Sequence, residues 1–71
     1  MTQQDLYKRA IRLDPNDAFA YNNLGFTLSK QESIVLEDGT RMTQQQLYLK
    51  ALHLNPNCTY AYTNLGTTLS N

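Results

Sequence analysis

At 71 residues and 8.1 kDa the chain is a single small domain, of a size that buries only about 60% of the surface its unfolded form exposes. Six Lys+Arg balance six Asp+Glu, which excludes the charge footprint of a protein that binds nucleic acid or an anionic membrane surface. The lone cysteine, Cys58, excludes an internal disulfide framework, and no run approaches the ~20 apolar residues of a spanning helix.

The first predicted element runs from about Thr2 to Leu13. Leu6, Ala10 and Leu13 recur at i, i+4 and i+7, with Tyr7 and Ile11 beside them, which is the spacing of an amphipathic helix. Thr2 followed three residues later by Asp5 can satisfy first-turn backbone amides from side chains, in the manner of a capping box. Asp14-Pro15-Asn16-Asp17 then breaks the helix, because proline is poorly tolerated in a helix interior and Asp or Asn caps the next helix.

A second helix is expected over about Asp17 to Lys30, with Tyr21, Leu24, Gly25 and Leu28 on one packed stripe. A mid-helix glycine costs roughly 1 kcal/mol relative to alanine. Gly25, and Gly66 at the matching place in the second copy, therefore predict that another helix approaches each too closely for a side chain. In the link Ser29–Met42, Ile34-Val35-Leu36 precedes Glu37-Asp38-Gly39-Thr40, and Asp-Gly after a β-branched run signals a hairpin turn. So short a hairpin is marginal alone, and Ile34, Leu36 and Met42 are the residues expected to anchor it on the helices, the alternative being that these apolar residues contact a partner.

From Thr43 the pattern begins again. Thr43 and Gln46 form a capping box, Leu47, Tyr48, Ala51, Leu52 and Leu54 make the third helix, and Asn55-Pro56-Asn57-Cys58 is the second corner. Tyr62, Leu65, Gly66 and Leu69 repeat the stripe of the second helix in a fourth. Sliding the chain by 41 residues lays residues 1–30 on 42–71 with eighteen of thirty positions identical. The copies are 1–41 and 42–71, the second truncated, and Met1 aligns with Met42, as a start placed at a repeat boundary would give. Self-similarity at this period marks a stacked array whose units bury their apolar faces against one another.

Tyr21-x2-Leu24-Gly25-x2-Leu28 resembles the first helix of the tetratricopeptide repeat (TPR) family, and Tyr48-x2-Ala51-Leu52-x-Leu54-x-Pro56 resembles its second helix with the closing proline. The resemblance covers nearly all of both copies. It implies an all-α, TPR-like α-solenoid of four helices, with the Ser29–Met42 link inserted as a short hairpin. Two features depart from the family. Gln44 stands where a small alanine is usual at the helix crossing, and the period of 41 exceeds the family's, which is about 34. Spacing from Tyr7 to Leu28 is regular, so the extra residues fall in the link.

In the family, first helices line a groove that receives extended peptides or partner helices. The matching face here carries Phe19, Asn22, Asn23 and Phe26, then Tyr60, Thr63, Asn64 and Thr67. Asn23 and Asn64 are the best pair, since an amide both donates to and accepts from a peptide backbone, and aromatic neighbours supply anchor area. The competing expectation is that these amides bond within the turn or face water. Positions where some members carry lysine and arginine to clamp a terminal carboxylate are neutral or aromatic here, so that specificity is not implied.

Taking the family hairpin as first helix then second, the chain opens on an unmatched second helix and finishes on an unmatched first. The Leu6/Ala10 and Leu65/Leu69 faces are then self-association ends, and a homo-oligomer is expected, head-to-tail or helix-swapped across the long link. The alternative is a purely structural assembling repeat with no foreign ligand.

No catalytic role is expected. His53 has no ligand at i+4 and reads as an exposed polar residue, while Cys58 reads as a weak cap or a small buried group. No phosphate loop, acid–base pair or nucleophile set is present, so neither cofactor nor metal is implied. Tyr7, Tyr48, Tyr21 and Tyr62 take core positions, leaving only Tyr60 free to stack on bases, and the neutral charge removes the main affinity for nucleic acid. A polar N-terminal stretch, MTQQDLYKRA, without a signal-peptide core points to the cytoplasm.

Overall fold

The computed structural model of the chain describes residues 1–69. Its order is α1 (Gln3–Leu13), α2 (Ala18–Phe26), β1 (Ser33–Val35), β2 (Arg41–Thr43), α3 (Gln44–Leu54) and α4 (Thr59–Leu69). Four helices are present as expected, and the all-α description needs one addition, a two-stranded antiparallel sheet in the link.

Both capping boxes close. Thr2 Oγ1 accepts from the Asp5 amide at 3.1 Å while Asp5 accepts from the Thr2 amide at 3.1 Å; Thr43 and Gln46 exchange the same bonds at 3.2 and 2.9 Å. The Thr2 bonds hold the Asp5 carboxyl below its ordinary pKa of 3.8. At the corners, Asp14 and Asn55 side chains each accept from an amide two residues on, both at 3.1 Å, and Asp17 caps α2 by accepting from the Ala20 amide at 3.2 Å.

In the link, Ile34 lies opposite Met42, and the Leu36 amide donates to the Thr40 carbonyl at 2.8 Å. Gly39 takes φ 91°, the left-handed conformation that the Asp-Gly signal anticipates. Asp38 accepts from the Thr40 amide at 2.9 Å, which keeps its carboxyl below 3.8. Leu36 is buried, and half-buried Ile34 and Met42 pack on the same core, so the hairpin is anchored by the three residues expected to do it.

The core centres on α2 against α3, where Leu24, Leu47 and Tyr48 are the largest fully buried side chains, each worth roughly 1.5–3 kcal/mol. A Cβ built on Gly25 would lie 2.9 Å from Tyr48 Cε1 and 3.3 Å from Leu47 Cβ. The close approach expected at Gly25 is therefore real.

Three expectations fail. The second helix ends at Phe26 rather than near Lys30, because the Thr27 and Leu28 amides donate to the Leu24 and Gly25 carbonyls, each at 3.1 Å, and tighten the chain out of the α-helix. The Leu28 carbonyl accepts from Gln44 Nε2, and the Gly25 carbonyl does so in addition to the Leu28 amide. The fourth-helix stripe is not packed: Tyr62 is 55% exposed where its counterpart Tyr21 is 5%, Leu69 is exposed, and nothing lies within 4 Å of a Cβ on Gly66. Among the described residues no helix covers that face. Tyr62 is consequently as free as Tyr60, against the expectation that it lies in the core.

Candidate functional site

Capped at Asp17 and turned by the corner at Asn55–Cys58, α2 and α4 lie side by side and bring their expected binding face together. Phe19 and its repeat counterpart Tyr60 pack with ring centroids 5.7 Å apart at 47°. Next along the face come the amides. Asn64 Nδ2 donates to Asn22 Oδ1 at 3.1 Å, and Asn22 Nδ2 donates to Asn23 Oδ1 at 3.5 Å.

Asn22 is only 3% exposed, which withdraws it from the ligand-accessible face and makes it a polar tie between α2 and α4. The sequence places two asparagines side by side and does not say which one turns inward. Asn23 and Asn64 remain half-buried on the face, and Phe26, Thr63 and Thr67 are exposed. The threonine hydroxyls donate back to the carbonyls of Thr59 and Thr63, both at 3.1 Å, so the amides supply the face's main hydrogen-bonding capacity.

A depression of about 200 Å³ adjoins this face, lined by Phe26, Lys30, Gln44, Tyr48, Asn64, Thr67 and Thr68. Gln44 forms its polar floor, accepting from Thr68 Oγ1 at 3.1 Å while its two Nε2 hydrogens serve the Gly25 and Leu28 carbonyls, with Tyr48 Oη also 3.4 Å from Nε2. The sequence alone does not reveal this role across three helices. The available signal is the recurrence of glutamine at this crossing as Gln3, which donates to Tyr7 Oη at 3.1 Å. Burial pushes the Tyr48 phenol above its ordinary 10.0, so it stays a neutral hydrogen-bonding group.

A second depression, about 360 Å³, lies between α1, the first corner and the hairpin over Ile11, Pro15, Tyr21 and Leu36. On its charged rim Glu37 meets Arg12 at 3.8 Å and, outside the depression, Arg9 at 3.0 Å, while Lys8 meets Asp5 at 3.9 Å. Burial raises the Tyr21 phenol above 10.0, with the Asp38 charge adding to the effect.

Leu6 and Ala10, expected at one end, lie on α1 with Leu6 55% exposed although its counterpart Leu47 is fully buried. Leu65 and Leu69 lie with Tyr62 and Gly66 on the uncovered side of α4. The Cys58 thiol is buried and His53 is exposed. Among the described residues no three His, Cys, Asp or Glu side chains gather to hold a metal ion, and no helix is long and apolar enough to cross a membrane.

Comparison with protein families matches residues 6–45, more than half of the chain, to the tetratricopeptide repeat. Neither the curated proteins nor the solved structures give a match.

Proposed function

The chain belongs to the tetratricopeptide repeat family, whose repeats are protein-interaction modules, and from that premise we propose a non-catalytic binding unit with two kinds of surface. The α2–α4 face takes an extended peptide, and the bare faces of α1 and α4 join copies of the chain into an α-solenoid. The observation that carries the first half is the alignment of the Phe19–Tyr60 pair with the Asn23 and Asn64 amides beside the Gln44 depression. Amides that can both donate and accept suit a peptide main chain of any sequence, and exposed aromatic rings supply the apolar anchors. The buried, unpaired Cys58 thiol suits a reducing compartment such as the cytoplasm.

Replacing Asn64 would strip a partner from buried Asn22 and confound folding with binding. Replacing Asn23 would likewise remove the acceptor of the Asn22 amide, so the clean variant is Phe26→Ala, exposed and away from the fully buried core. A displayed library of random unstructured peptides should enrich binders on the wild type and lose them on this variant, whose circular dichroism stays unchanged. Enrichment that is equal on both proteins, or absent from both, rejects the peptide face. The exposed apolar sides of α1 and α4 favour a second reading, a purely structural assembling repeat with no foreign ligand. That reading gains if the library yields nothing while the chain still associates.

A further inference from the structure

The chain contains one formed helix–helix joint and the two halves of another. In the formed joint one set is Tyr21, Leu24, Gly25 and Leu28, on α2 and just past its end, and the other is Gln44, Leu47, Tyr48 and Ala51 of α3; Gly25 meets Leu47 and Tyr48, and the Gly25 and Leu28 carbonyls accept from Gln44. Shifted by 41 residues, the first set becomes Tyr62, Leu65, Gly66 and Leu69 on α4, and the second becomes Gln3, Leu6, Tyr7 and Ala10 on α1. All eight positions are identical. We infer that Gly66 is the seat of a head-to-tail contact in which α4 of one copy receives α1 of a second copy, in the register that α2 and α3 already use within the chain.

The proposal rests on the self-association half of the function above and is independent of the peptide face. Three features select a second copy as the occupant. In the formed joint the Tyr48 ring fills the space that a Cβ on Gly25 would claim, and Gly66 offers the same notch, empty, to a Tyr7 ring. Gln44 Nε2 donates to the Gly25 and Leu28 carbonyls, and Gln3 is placed to do the same for the carbonyls of Gly66 and Leu69. Leu6, exposed on α1, is the counterpart of Leu47, which is buried against Gly25. No charged residue lies in Thr59–Leu69 to oppose the approach. Such a contact is heterologous, so copies add in one direction and form a ring or a filament according to whether the rotation closes.

The test uses two substitutions at sites exposed or open in the single chain, Gly66→Leu and Leu6→Glu, with circular dichroism to verify that each remains folded. Mass is measured by sedimentation equilibrium over a dilution series. For the wild type it should rise with concentration beyond a dimer, and Gly66→Ala should weaken association by about tenfold or more, as overpacking of a close contact does. Gly66→Leu and Leu6→Glu should each stay monomeric. Mixed in equal amounts they should stop at a one-to-one dimer, because the first keeps its α1 face and the second its α4 face. A wild type monomeric at every concentration overturns the proposal, whether a foreign helix or nothing covers these faces. So does an oligomer that survives in either variant, as a helix-swapped dimer would, or a mixture that remains monomeric. Phe26→Ala should leave the wild-type masses unchanged, so failure of the peptide face and failure of this joint are read separately.

Discussion

Gly25 and Gly66 occupy the same place in their helices, yet an alanine would meet different neighbours at each. At Gly25 the new methyl presses into the Tyr48 ring and toward Leu47 Cβ, an overpacking worth about 1–3 kcal/mol against a helix gain of roughly 1 kcal/mol. At Gly66 it enters open space, so only the helix gain remains. Urea melts at concentrations where the chain is monomeric should show Gly25→Ala less stable than wild type and Gly66→Ala slightly more stable. The close approach at Gly25 is legible in the sequence because a mid-helix glycine is costly without one. The openness at Gly66 is not, because burial depends on the neighbours that pack against a face, and identical residues here have different surroundings. The same contrast separates Tyr21 from Tyr62. Buried Tyr21 and Tyr48 have phenol pKa values raised above 10.0, so below that pH both folded and unfolded states keep the proton. As pH climbs past 10.0 the unfolded chain ionises first, and stability is lost. Tyr21→Phe and Tyr48→Phe should each flatten this alkaline decline in melts taken from pH 8 to pH 11, an interval of about one unit or more on either side of the ordinary tyrosine value.

The elements carry this logic over longer distances. The hairpin is legible because its signals are local: Asp38-Gly39 dictates the turn, and alternation puts Ile34 and Leu36 on one side and exposed Val35 on the other. The end of α2 is not legible, because the Gly25 carbonyl in its last turn and the Leu28 carbonyl just beyond it are taken up by a side chain nineteen and sixteen residues away in sequence. In the sequence Gln44 stands out only as a departure from the alanine usual in the family. In the fold it bonds to Gly25 and Leu28 at the close of the second helical segment, Tyr48 on its own helix and Thr68 on α4. Gln44→Ala restores the family's small residue but leaves the carbonyl of buried Leu28 without its side-chain donor and the Gly25 carbonyl with the Leu28 amide alone. A loss of about 1–3 kcal/mol is expected by urea denaturation, rather than the gain a return to the common residue would suggest. The asparagines obey the same rule: the pattern puts Asn23 and Asn64 on one face, while the inward turn of Asn22 depends on the position of α4.

For the whole molecule, the distribution of burial ties stability to association. The core is densest between α2 and α3, whereas α1 and α4 are each covered on one side and expose Leu6, Leu13, Tyr62 and Leu69 on the other. In a stacked array the stability of each unit is its own plus that of its joints, so a head-to-tail contact that repeats the α2–α3 joint adds a stabilising term that grows with concentration. Each tenfold increase in chain concentration can contribute up to about 1.4 kcal/mol per joint, which for a domain of this size corresponds to a rise of several degrees in melting temperature. The wild type should therefore melt higher as it is concentrated, while Gly66→Leu and Leu6→Glu melt at one temperature throughout. A wild-type melting temperature that is flat over the range in which its mass increases would mean that copies associate through surfaces uncoupled from folding. The α1 and α4 faces would then not be the joint, because covering them buries the repeat counterparts of the side chains that stabilise α2 against α3.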